Sequence, residues 1–263
     1  MSLERKSNSE ENGRLSKAAI PMQYDTDEMQ EYPRHLRVLS GNLNAVLRLL
    51  EIHEAIGGRG PGRRRDIEVL NRSAIVLLVA CWESFVEDLA AEAFDVMLKE
   101  ATQPETFPTK VLAIAARPLR EAADSRQIWR LAGNSWRDVL REHRDTVFKT
   151  SIGRLNTPRP KQVDQLFEHV IGISAFSNEW KWKGMPNKRA LSRLENLITR
   201  RGEIAHRVTA GPSIRKKYVE DSSELVHQLA AVASNAVCRF VEKQIGKTPW
   251  DLVYRIKPGK PPN

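Results

Sequence analysis

Between residues 66 and 100, apolar side chains recur so densely that a helix built from them has almost no face left for water. Ile67, Leu70, Ala74, Leu77, Leu78, Cys81, Phe85, Leu89 and Phe94 keep the three- and four-residue spacing of an α-helix. Its middle, AIVLLVACW at 74–82, is apolar nearly all round, which marks a central helix packed on several sides. That run falls far short of the ~20 residues needed to cross a bilayer. The helix must therefore be sheathed by the rest of the chain, with Trp82, Glu83 and Glu87 at its core-to-surface edge.

The rest of the chain supplies the sheath. A helix is predicted over 25–56, where Leu36, Leu39, Leu43, Val46, Leu47 and Leu50 are in register and Pro33 either kinks it or delays its start. GGRGPGRRR (57–65) breaks the chain; its arginines either meet phosphate or form a solvated basic turn, and the turn is the commoner outcome. Further helices are expected over 109–123 and 125–149, with Pro118 and Gly133 as local breaks. NTPRPKQVDQLF opens a loop-then-helix unit over 155–173. A last long helix is expected over 213–245, and the Pro- and Lys-rich tail docks through Trp250 and Tyr254. Glycine and proline, 14 each in 263 residues, are too few for many short strands, and no stretch alternates as a strand would. The expectation is an all-α protein: an N-terminal arm (1–24), one compact domain of about seven helices (25–246), and a C-terminal tail (247–263).

Cys81 and Cys238 sit among apolar neighbours as small core residues, with neither zinc spacing nor a disulfide framework. The first residues, MSLERKSNSEENGR, lack the apolar core of a signal peptide, so a cytoplasmic protein is expected. A net charge of +9 makes a polyanion the natural partner, although a generally basic surface would produce the same number.

One stretch concentrates the chemistry. Residues 187–209, NKRALSRLENLITRRGEIAHRVT, begin as an amphipathic helix on Leu191, Leu194, Leu197 and Ile198, opened by Pro186 and Asn187 and stopped by Gly211-Pro212. Its end then crowds Arg200, Arg201, Glu203, His206 and Arg207 into two turns. Guanidiniums neutralise phosphate oxygens, and an imidazole moves protons near neutral pH, so the set suits a phosphodiester without a metal or cofactor. The spacing alone is not distinctive, because it recurs at Arg48…His53 and Arg137…His143. Just upstream, Trp180, Lys181, Trp182 and Lys183 alternate aromatic and cation. They either stack a base and hold its phosphate or place one tryptophan in the core with lysine stems around it; the second is the commoner outcome.

In this order, VACWESFVEDL, NTPRPKQVDQLF, WKWKG and RRGEIAHR resemble the HEPN superfamily, and most closely its RiboL-PSP-HEPN branch, over roughly residues 35–245. The resemblance implies an up-and-down helical bundle that dimerises, with the Arg-x(4–6)-His motifs of two protomers facing each other. It also implies metal-independent endoribonuclease activity of the kind found in toxin–antitoxin and defence systems, although some members only bind RNA. Carried onto this chain, the catalytic pair is Arg201 and His206, with Arg200 at the longer permitted spacing. Gly202 stands where the family often has a polar residue.

The residues and the resemblance agree on one point. Cleavage by the ribose 2′-OH needs two proton transfers, and one chain offers one suitable histidine, so a homodimer would supply the second. Five residues apart on a helix, Arg201 and His206 point about 140° from each other. A long side chain, a helix loosened at Gly202 or a partner's motif would close that gap. Glu203 is placed either to orient the imidazole, slightly favoured, or to pair with Arg200 or Arg207. The expected partners are RNA, a second copy, and an antitoxin or defence-system protein. The competing readings are a non-catalytic RNA-binding module and a helical interaction scaffold.

Overall fold

The computed structural model describes residues 32–57, 67–152, 158–206 and 213–253. They form seven α-helices: α1 (Arg34–Gly57), α2 (Glu68–Glu100), α3 (Thr109–Arg120), α4 (Trp136–Ile152), α5 (Pro160–Val170), α6 (Asn187–His206) and α7 (Lys216–Ile245). Short 3-10 segments occupy Pro104–Thr106, Ser125–Leu131 and Phe176–Glu179. No strand occurs among the described residues, and the isolated bridge Trp182–Met185 is their one sheet-like pairing. None of the described helices is long and apolar enough to cross a membrane. The expected arm (1–24), the arginines of 63–65 and the end of the tail (254–263) lie outside the described residues.

α2 is the axis of the fold. Its 33 residues run about 50 Å, and α1, α5, α6 and α7 all pack against it. Two adjacent stripes, from Ala74–Ile75 through Leu78–Val79, Phe85–Val86, Leu89–Ala90 and Phe94 to Met97–Leu98, are fully buried. The side left over is polar: Glu83, Ser84, Glu87 and Asp88 are half-buried, and Ala80 is exposed. The helix is thus less uniformly enclosed than its composition implies.

Side chains from elsewhere in the fold satisfy the helix ends. Pro33 sets the start of α1, its carbonyl accepting from the Leu36 and Arg37 amides. The Glu92 carboxylate of α2 accepts from the Arg34 and His35 amides, standing in for an N-cap. The same carboxylate accepts from His35 Nδ1 at 2.7 Å, while His35 Nε2 meets Ser234 Oγ of α7 at 2.8 Å. His35 is wholly buried, with Trp250 edge-on at 5.0 Å. Three helices and the returning C-terminal segment therefore close on one imidazole. Arg137 performs the opposite service at the end of α2, donating to the Leu98 and Ala101 carbonyls.

Several expected boundaries shift. Within the described residues α1 starts at Arg34, because proline fixes φ and offers no N–H. The stretch expected as helical over 125–149 is interrupted where Gly133 was expected to break it, at φ +59°, leaving the 3-10 segment before it and α4 after it. Pro118 does not break α3 but sits inside its last turn, two residues before the helix ends at Arg120. α5 opens with Pro160 at its first turn and ends at Val170, two residues before Gly172, whose φ of +87° turns the chain.

Gly172 and Gly184 together separate two effects. Both have positive φ, but a Cβ on Gly172 would lie 2.5 Å from Pro108 Cγ, whereas one on Gly184 would meet nothing within 4 Å. Gly184→Ala is expected to lose about 1–2 kcal/mol of stability from the left-handed backbone alone. Gly172→Ala should lose about 1–3 kcal/mol more, since a rigid ring must move. Urea denaturation of the two variants measures the difference.

Candidate functional site

α6 is held at both ends by contacts that sequence periodicity does not contain. Asn187 does not cap the new helix as its position suggests. Its amide donates backward, to the Ser177 carbonyl at 2.7 Å and the Trp180 carbonyl at 3.3 Å. Asp164 of α5 holds the same turn by accepting from the Ser177 amide and hydroxyl at 2.6 and 2.8 Å. Trp180 descends from this turn into the core, 0 % exposed, edge-on to Trp82 at 5.5 Å. Trp82 in turn donates to the Pro158 carbonyl at 3.2 Å. Arg159 clamps the middle of α6 through Glu195 at 2.9 Å and Thr199 at 3.2 Å.

Beyond His206, the chain becomes described again at Ser213. There the first turn of α2 holds it: Glu68 accepts from the Ser213 hydroxyl at 3.0 Å and the Ile214 amide at 3.3 Å, and Asn71 donates to the Ile214 carbonyl at 2.9 Å. Arg72 completes the clamp on Glu68 at 3.0 Å. Arg207 lies outside the described residues.

Ala190, Leu194, Leu197, Ile198 and Ile204 are the buried face of α6, which is helical without interruption through Gly202 to His206. The loosening considered at Gly202 does not occur; a Cβ there would meet nothing within 4 Å. Arg200 and Arg201, equivalent on paper, diverge. Arg200 pairs with Glu203 at 3.6 Å, and its guanidinium carbon lies 5.8 Å from the Tyr218 ring of α7. Arg201 is half-buried and makes no hydrogen bond or ion pair with a described residue. Its charge is felt at Glu83, whose carboxyl is pushed above its ordinary value by burial and partly drawn back by Arg201. Glu87, one turn along, is raised by burial and then by the negative charges of Glu83 and Asp88. His206 is exposed and unbonded among the described residues. The favoured role for Glu203 is therefore corrected: it is spoken for by Arg200, with no bond to the imidazole.

Structure also separates the three Arg-x(4–5)-His spacings. Arg48 pairs with Glu51 at 2.9 Å, and His53 lies 3.4 Å from Asn71. Arg137 caps α2, and His143 is buried with Nε2 on the His169 carbonyl at 2.9 Å. Burial holds that imidazole below its ordinary value, the backbone bond only partly opposing. Arg137 and His143 are consumed by the fold, Arg48 and His53 each meet a neighbouring side chain, and Arg201 and His206 have no hydrogen bond or ion pair with a described residue.

The tryptophan–lysine segment comes apart in the same way. No base can reach Trp180, so the commoner outcome holds for this ring, and its place among the speculative RNA-binding residues is corrected by its enclosure. Trp182 is half-buried, its backbone paired with Met185 at 3.1 and 2.9 Å, while Lys181 and Lys183 are exposed and unpaired among the described residues. Lys188 and Arg189 on the first turn of α6 are likewise exposed and unpaired, and no acidic residue occurs from Trp180 to Leu194.

A family model described as RiboL-PSP-HEPN matches residues 42–238, about three quarters of the chain. No curated protein and no solved structure matches it.

The Glu68 clamp has a pH signature. Burial pushes its carboxyl up, but the hydrogen bonds from Arg72, Ser213 and Ile214 outweigh that and hold it below its ordinary value of 4.5. A carboxyl depressed on folding contributes stability that is present above 4.5 and lost as pH falls through the lower folded value. Glu68→Gln is therefore expected to lower stability at neutral pH and to flatten its decline below about pH 4.5, as read from thermal melts across that range.

Proposed function

The chain belongs to the RiboL-PSP-HEPN family, and on that footing we propose that it is a metal-independent endoribonuclease with a composite site. HEPN domains commonly include ribonucleases. The observation that carries the reading is that Arg201 and His206, alone among the three similar pairs, have no hydrogen bond or ion pair with a described residue.

In the reaction, the 2′-oxygen forms a bond to phosphorus as its proton passes to a base. The bond from phosphorus to the 5′-oxygen then breaks, and that oxygen takes a proton from an acid. The products are a 2′,3′-cyclic phosphate and a 5′-hydroxyl. His206 serves as base or acid, and Arg201 neutralises the oxygens of the five-coordinate intermediate.

Helix geometry favours two copies. With α6 regular through Gly202, Arg201 and His206 are about 140° and 7.5 Å apart along one helix, too divergent to act on the same phosphate oxygen. A second protomer facing the first would put a histidine on either side of one linkage. RNA would run from there toward Lys188 and Arg189 at the start of α6, about 26 Å from His206 along the helix, and on to Lys181 and Lys183 before it. Such activity fits a toxin or defence effector restrained by an antitoxin-like partner.

Purified wild type and His206→Ala, tested on RNA, decide the matter. His206→Ala should cut at least about 100-fold more slowly with binding intact. Arg201→Ala should do likewise, whereas Arg200→Ala, which removes a brace between α6 and α7, should have the smaller effect on cleavage. Lys181→Ala with Lys183→Ala should weaken binding evenly across sequences and shallow the salt slope by about 0.7 for every phosphate that the protein ceases to neutralise. Equal cleavage by wild type and His206→Ala removes the catalytic assignment. Salt-sensitive binding without cleavage would leave an RNA-binding module.

A further inference from the structure

We propose that Arg159, at the head of α5, is a further substrate-contacting residue, whose guanidinium takes an RNA backbone phosphate midway along the face of α6 that ends in His206. The proposal rests on RNA as the ligand in the reading above and extends it to a residue outside the arginine–histidine helix.

The placement begins with two prolines. Arg159 stands between Pro158 and Pro160, and the ring that follows confines it to extended backbone, at φ −71° and ψ 157°. Both prolines are buried, and Trp82 donates to the Pro158 carbonyl at 3.2 Å. The side chain thus springs from backbone fixed on both sides. It reaches α6, where Nη1 donates to Glu195 at 2.9 Å and Nη2 to Thr199 Oγ1 at 3.2 Å.

Helix geometry says which face of α6 receives it. Lys188 and His206 are 18 residues apart, about five full turns, so they share one azimuth. Glu195 and Thr199 lie within about 20° of that line, so Arg159 is seated on the same face, halfway between its ends. Lys188, Ser192, Glu195, Thr199 and His206 are all exposed along it. The helix's own Arg189, Arg193, Arg200 and Arg201 lie about 100° or more around from it. The histidine's face therefore takes its guanidinium from α5.

Two of the five guanidinium N–H groups are engaged, and the side chain is 33 % exposed. As a clamp alone the contact achieves little, because Glu195 is 48 % exposed and so open an ion pair adds little to stability. Asp164, Trp180 and the buried stripe of α6 hold that helix as well. Glu195 and Thr199 instead fix the plane of the guanidinium. A cation oriented in advance loses less freedom on meeting phosphate, and its remaining donors are free to take the oxygens.

A clamp and a phosphate contact predict different signs. Either Arg159→Ala or Glu195→Gln disrupts the ion pair, so a purely structural role moves both variants the same way. Affinity is read with a single-stranded 2′-O-methyl RNA, which cannot be cut by 2′-oxygen attack, across a salt series. Arg159→Ala should weaken binding about tenfold and shallow the salt slope by about 0.7, one phosphate's share. Glu195→Gln, which keeps an acceptor for Nη1 but removes the competing charge, should tighten binding roughly two- to threefold. That gain should vanish in the double variant, because it acts through Arg159. Should Arg159→Ala fail to fold, Arg159→Gln gives the same reading.

An unchanged salt slope, affinities that fall together, or a gain from Glu195→Gln that persists without Arg159 would overturn the proposal. Wild type that binds RNA without cutting it sinks the ribonuclease reading alone, and the same affinities still decide Arg159. Wild type that binds no RNA sinks both.

Discussion

Burying a long apolar rod on more than one side is the constraint from which the other features descend. α2 carries two adjacent buried stripes over most of its length, more apolar surface than one neighbouring helix can cover. At roughly 25 cal/mol for each Å² removed from water, such a surface cannot be left exposed. α1, α5, α6 and α7 all close on it. His35 is the polar counterpart of that closure. Buried without partners, an imidazole between three helices would be strongly destabilising; bonded to Glu92 and Ser234, it fixes how those helices meet.

The candidate site lies at the margin of this packing. α2 contributes its first turn, through Glu68 and Asn71, to the segment leaving the arginine–histidine helix. The unit from Pro158 to Asn187 contributes the position of α6 itself, through Asp164, Trp180 and Arg159. Its tryptophan is structural and its lysines are not. That division follows from size and solvation: a large apolar ring finds cover, whereas an ammonium keeps its water and lets its stem pack.

The fold was largely legible from periodicity and chain breakers. The apolar run of 74–82, the start after Pro33 and the interruption at Gly133 are local properties of the chain, and local properties are what a sequence displays. The site was legible in outline only. RRGEIAHR names the right two turns, yet the spacing of Arg137 and His143 differs from it by a single residue and serves only the fold. What separates them is a tertiary neighbour: open carbonyls at the end of α2 for Arg137, the His169 carbonyl for His143. The divergence of Arg200 from Arg201 likewise turns on Tyr218 of α7, 18 positions after Arg200 in the chain. No spacing rule reaches that far. Glu83 was visible as an edge residue of α2, but nothing in the sequence says that the charge of Arg201 reaches it.

The contact between Trp82 and Trp180 has a use of its own. Two indoles held edge-on at 5.5 Å in a dry environment couple their electronic transitions, giving a near-ultraviolet circular dichroism band that vanishes once the rings part. One ring belongs to the central helix and the other to the turn that delivers the arginine–histidine helix. The chain therefore carries an optical gauge of whether that helix is seated, readable without nucleic acid and without any assay of catalysis.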